Sequence, residues 1–200
     1  MRIRSSAPLA ALLVGLALAC ANPARADPKA DLLATVEAMG KVGKFKSTST
    51  IKSEDGKTYK TSAEVVWPDR YHIVTDQMEA IILPGKSYIK QGGNWQLMPV
   101  DISQMVTGFR AEMMKNSMAN TTNVKELGPS EINGHKVKGF EYDSTATVMG
   151  QTSSAHCKMW LDVDTGLPVR QEVDGSAMGH KSHTTQDYDF TSPVKIEAPI

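Results

Sequence analysis

Two clusters in this 200-residue chain carry side chains able to do chemistry: His156-Cys157 within "SSAHCKMWLDV", and His180 with His183 in "GHKSHTT". A cysteine beside a histidine suggests a thiolate nucleophile and its base, and the histidines together suggest a metal site. Both readings depend on where the side chains point. "SSAHCKMWLDV" alternates, so Ala155, Cys157, Met159, Leu161 and Val163 fall on one face of a strand and Ser154, His156, Lys158 and Asp162 on the other. Cys157 is therefore expected among apolar neighbours, where a thiol is inert, with His156 facing away. The spacing of His180 and His183 puts them on opposite faces, and no further cysteine or clustered carboxylate completes the ligand set that zinc requires. Serine elbows, phosphate loops and metalloprotease helices do not occur in the sequence. A non-enzymatic protein without metal or cofactor is expected.

The elements that position these residues follow from period and punctuation. From Lys44 onward, segments of strand length are separated by "SEDGK", "WPDR", "LPGK", "QGGN", "INGH" and "DTGLP", which are hairpin and tight-turn signals. They predict an antiparallel meander of about eleven strands. "LPVRQEV" should pair with the Cys157 strand, with Leu167, Val169 and Val173 on one face and Arg170 and Glu172 on the other. Before the meander, Leu32, Leu33, Val36 and Met39 follow one helical face, started by Asp27-Pro28 and stopped by Gly40 and Gly43. A second helix is expected over 100–118, where Ile102, Met105, Val106, Phe109 and Met113 have helical spacing and Asp101 is placed to cap. The fold class is mainly β, with a helix between the two halves of the sheet.

The first residues, "MRIRSSAPLAALLVGLALACANPARADP", have the layout of an export signal: Arg2 and Arg4, an apolar run from about Ala7 to Ala21, and the small-residue site Ala24-Arg25-Ala26. The run is too short to span a membrane. Cleavage after Ala26 yields a 27–200 domain in the periplasm; lipidation at Cys20 is the alternative, and would tether the protein to a membrane. Removal of residues 1–26 takes away Arg2, Arg4 and Arg25 and no acidic residue, leaving 19 basic against 22 acidic side chains, a net charge of −3. Such a chain, without a basic run, is a poor nucleic-acid binder. The cut also leaves Cys157 as its one cysteine, so no intramolecular disulfide can form.

Several segments in this order resemble the bacterial LolA-like superfamily: the Pro corner "WPDRY" at Trp67 to Tyr71, the hairpin "SYIKQGGNW" from Ser87 to Trp95, and the turn "DVDTGLP" from Asp162 to Pro168. That group includes the lipoprotein carriers LolA and LolB and the lipid-binding LppX and LprG lipoproteins. The resemblance implies an incomplete antiparallel barrel of about eleven strands wrapped over helices, whose concave face holds acyl chains. The chain departs from LolA at the corner, where Trp67 stands in place of an arginine that precedes the proline and helps hold the lid; the nearest basic residue is Arg70. The lipoprotein-release mechanism is therefore not carried over.

The cavity lining expected from this resemblance is Leu33, Val36, Val65, Trp67, Ile82, Trp95, Leu97, Met105, Phe109, Met113, Cys157, Met159, Leu161 and Val169. Trp67 reads either as a core aromatic at a strand end or as a cavity wall. Met105, Met113, Met114 and Met118 either pack an amphipathic helix on the core or line a site that accepts ligands of varied shape. The expected function is carriage of a lipid or lipoprotein acyl chain between envelope surfaces by a monomer, with an envelope membrane protein as transfer partner. The rivals are a sensing module that signals lipid to a protein partner, as RseB regulators do, and an enzyme using Cys157.

Overall fold

The computed structural model describes residues 27–108, 119–148, 151–177 and 179–200. Its first element is the helix α1, Pro28–Val42. Asp27 caps it by accepting from the Lys29 amide at 3.0 Å, and Pro28 occupies the first helical position. The stop is Gly43, whose φ of 73° is open to glycine and whose amide closes the last turn on the Met39 carbonyl at 3.0 Å. Gly40, expected to share in the stop, lies inside the helix.

Eleven strands follow: β1 Lys44–Ser53, β2 Thr58–Val66, β3 Arg70–Thr75, β4 Glu79–Leu83, β5 Lys86–Gln91, β6 Asn94–Leu97, β7 Thr122–Ile132, β8 His135–Val148, β9 Gln151–Asp162, β10 Pro168–Ala177 and β11 His180–Asp189. They form one antiparallel sheet in the order β6-β5-β4-β3-β2-β1-β11-β10-β9-β8-β7. Two meanders are thus joined where β1 pairs with β11, Lys46 opposite Asp189. The sheet is open, with β6 and β7 as its edges. β6 has only four residues, and β7 carries Pro129, Gly128 at φ 78° and two register shifts, all of which blunt an edge against further pairing.

Between these edges runs the connection expected to be helical. Residues 103–108 are helical there. Asp101 caps them, accepting from the Ser103 amide at 3.0 Å and from the Ser87 hydroxyl at 3.0 Å. Phe109, Met113, Met114 and Met118 lie outside the described residues, as does the export segment 1–26.

Register assigns every side chain to one of two faces. On the concave face, Phe45, Val65, Tyr71 and Ile82 form one buried cluster with Met39 of α1, Trp67, Ile102 and Val106. Leu32 of α1 enters a second, with Phe140, Tyr142, Cys157 and Leu161. α1 is held there by Lys138, whose Nζ lies 2.8 Å from Asp31 and 3.3 Å from Glu126. The convex face carries the charge. Lys46 pairs with Glu64 at 2.7 Å, Lys90 with Glu79 at 2.8 Å, and Arg170 with Asp187 at 2.7 Å. A cross-strand row of Asp143, His156, Asp174 and His183 alternates across β8 to β11. His156 lies 2.9 Å from Asp143 and His183 2.7 Å from Asp174.

Val163 does not continue the apolar face of β9: it lies in the turn beyond the strand and is exposed. The face expected for Leu167, Val169 and Val173 is interrupted by a bulge, because Pro168 opposes Leu161 while Arg170 opposes Trp160, leaving Val169 as the extra residue.

Candidate functional site

Among the described residues, α1 and the aromatic clusters fill the base of the concave face and leave its far half open. There, β8 to β11 and Ser53 of β1 line an open cavity of about 500 Å³. Its floor is made of small side chains: Ser144 and Ala146 from β8, Ala155 and Cys157 from β9, Val173 and Gly175 from β10, Ser182 from β11. The register aligns them, with Tyr142 opposite Cys157, Cys157 opposite Val173, Ala155 opposite Gly175 and Gly175 opposite Ser182. Strands with small residues on one face leave room above the sheet that larger side chains would occupy.

Where the cavity meets the packed base, three side chains form a hydrogen-bonded chain across β8, β10 and β11. The Tyr188 hydroxyl donates to Gln171 Oε1 at 3.2 Å, and Gln171 Nε2 donates to the Tyr142 hydroxyl at 3.1 Å. Burial pushes the Tyr142 hydroxyl well above the ordinary tyrosine range, so it remains a neutral donor and acceptor. Burial also raises Cys157 to about 11, which keeps its thiol protonated near neutral pH. His156 is on the other face, engaged with Asp143. The arrangement offers shape, apolar contact and neutral hydrogen bonding, with no activated nucleophile at Cys157. Among the described residues no group of three or more His, Cys, Asp or Glu side chains is placed to hold a metal ion.

A second cavity, of about 510 Å³, lies where the turns after β7 and β9 meet β1 and β11. Its carboxylates serve the chain itself: Asp162 accepts from the Thr165 amide at 2.9 Å, Asp189 from the Thr191 amide at 2.8 Å, and Asp187 pairs with Arg170. It is a structural junction rather than a prepared recognition surface.

The backbone path is shared with solved proteins. The Mycobacterium tuberculosis lipoprotein LppX superposes with a TM-score of 0.58 at 12% identity, over 85% of this chain and 98% of LppX. LprF from Mycobacterium bovis does so with a TM-score of 0.55 at 12% identity, over 86% of this chain and 96% of LprF. The fold is LolA-like. Neither a family model nor a curated protein sequence matches the chain, so at these identities the likeness is one of fold.

Within this LolA-like half-barrel the residues expected to line one cavity are dispersed. Of those among the described residues, Cys157 alone lines the open concave cavity, Phe109 and Met113 lying outside them. Val65, Ile82 and Trp67 belong to the aromatic base, and Leu161 and Met159 to the cluster under α1. Leu33 and Val36 are half-buried at the flanks of α1, because the inward stripe runs through Leu32, Thr35 and Met39. Met105 points outward, 62% exposed, while Ile102 and Val106 make the inward contacts of its segment. Val169 is buried at the bulge and lines the second cavity.

Trp95 and Leu97 require a correction: they stand on the convex face. Trp95 opposes Lys90, whose Nζ lies 5.6 Å from its ring centroid, and packs on Ile81, Leu83 and Tyr88 beneath the C-terminal Val194 and Ile196. Leu97 opposes Tyr88 and is 55% exposed. The convex face thus has an apolar layer of its own, covered by the C-terminal segment. Ala155 and Val173 carried the signal for the true floor, as apolar positions in phase with Cys157.

Proposed function

We propose that this protein is an envelope lipid-binding protein that holds an acyl chain, of a lipid or a lipoprotein, in the open half of its concave face and carries it between surfaces without chemical change. The observation that carries this reading is the 500 Å³ cavity floored by small side chains beside a packed core, in a LolA-like half-barrel. An acyl chain is the ligand class that gains from such a place, since each methylene taken from water contributes about 0.8 kcal/mol. Export through residues 1–26 puts the mature chain in the periplasm as a monomer, or on a membrane if Cys20 is lipidated. Cys157, with Val173 and Ala155, forms the apolar wall against the chain.

The test is a transfer assay. The mature protein is added to donor vesicles containing a self-quenched fluorescent phospholipid and to unlabelled acceptor vesicles. Fluorescence should recover at a rate proportional to protein concentration. A rate equal to that of spontaneous exchange at every concentration would refute carriage.

A further inference from the structure

The concave face is divided by a polar row that a purely greasy cavity would not have. Gln171 of β10 opposes Gln186 of β11, which opposes Ser49 of β1, which opposes Thr61 of β2. All four are half-buried. Gln171 is fixed by Tyr142 and Tyr188, whereas among the described residues no side-chain hydrogen bond engages Gln186, Ser49 or Thr61. The row is also neutral; Lys181, which lines the far end of the adjacent cavity, lies five residues along β11 from Gln186. Ion pairs are gathered on the convex face; the concave cation Lys138 is spent on Asp31 and Glu126, and His180 at the rim is paired with Glu54 at 3.0 Å. Among the described residues no free cation lies on the row, so a carboxylate brought onto it would lose its water uncompensated by those residues, at a cost far above that of a neutral carbonyl, which amide and hydroxyl donors can satisfy.

We propose that Gln186, Ser49 and Thr61 hold the neutral ester or amide carbonyl of an acylated ligand whose chain enters the adjacent cavity, so that the protein selects acyl linkages over free fatty acids. This rests on the acyl-binding reading above and adds the chemistry of the ligand's polar end. The test measures binding of three pyrene-labelled probes with the same hexadecanoyl chain, the acid, its methyl ester and its N-methylamide, to the mature protein at pH 8.

The ester and amide should bind about fivefold to tenfold more tightly than the acid, the worth of a net hydrogen bond. In Gln186→Leu and in Thr61→Val, each nearly isosteric, that preference should shrink by at least about threefold while the acid binds as before. The variants separate hydrogen bonding from the greater lipophilicity of an ester, and melting curves identify whichever keeps its fold. Equal affinity for acid and ester, or an undiminished preference in the folded variants, overturns the selection and leaves acyl binding standing. Failure of all three probes to bind removes both.

Discussion

Gly175 is the position at which the cavity can be closed without disturbing the fold. It lies in the middle of β10, opposite Ala155 and Ser182 on the cavity floor. A Cβ added there meets only ordinary contacts, Ser182 Oγ at 3.7 Å and Val173 Cγ1 at 3.9 Å, and its φ is not in the left-handed region. Gly175→Val should therefore be accepted, and should raise stability by up to about 1 kcal/mol because a β-branched residue replaces glycine in a strand interior. Its three carbon atoms enter the space assigned to the ligand. If they exclude three methylenes at about 0.8 kcal/mol each, the acyl chain loses about 2.4 kcal/mol, a factor of about 50 in affinity. Titration with a fluorescent acyl probe, run beside a thermal melt, reads both quantities. A variant that melts at or above the wild-type temperature and binds the probe with unchanged affinity would refute the placement of the ligand on β8 to β11.

Other consequences can be checked on the same protein. Phe140 is fully buried, at 0% exposure, under α1, so Phe140→Ala should lose about 3–5 kcal/mol in chemical denaturation; a loss under about 1 kcal/mol would contradict its place in the core. Iodoacetamide at pH 8 should modify Cys157 slowly in the native protein and rapidly in denaturant, since burial lifts its pKa to about 11; equal rates would mean an exposed thiol. Asn123 and His156 hold Asp143 below the ordinary carboxylate range, Lys90 and His72 do the same for Glu79, and Ser192 and Thr191 for Asp189. Each is a depressed pKa, so its stabilisation is present above the ordinary value near 4 and is lost as pH falls through the folded value. The melting temperature should accordingly drop as pH goes below about 4, and a flat profile there would contradict these pairings.

The sheet was legible because its turns are written in residues with few alternatives: Asn133-Gly134 and Pro84-Gly85 mark hairpins, and Gly134 and Gly85 do take φ of 80° and 76°. Alternation then placed Cys157 and His156 on opposite faces without the structure. It said less where both faces are polar. In β1, "KSTSTIK" alternates serine and isoleucine with threonine and lysine, and in β11 "HTTQDY" offers no apolar stripe, so the neutral row on the concave face has no hydropathy signature. Trp95 and Leu97 are expected in the cavity only from the family resemblance, on a hairpin whose alternation does not say which face is concave. What reverses them is the C-terminal segment bringing Val194 and Ile196 to the convex side, a contact across about a hundred residues that no local pattern announces. The cavity floor was hard to read for the opposite reason. Serine, alanine and glycine define it by what they leave empty.

The central claim, that the concave cavity holds an acyl chain, is tested most directly by native mass spectrometry of the protein purified gently from envelope extracts, wild type beside Gly175→Val. The wild-type protein should carry a discrete added mass that fragments to an acylated lipid, and the variant should have lost most of it while remaining folded. A bare chain mass for the wild type, or the same adduct at the same occupancy in both proteins, would contradict the account.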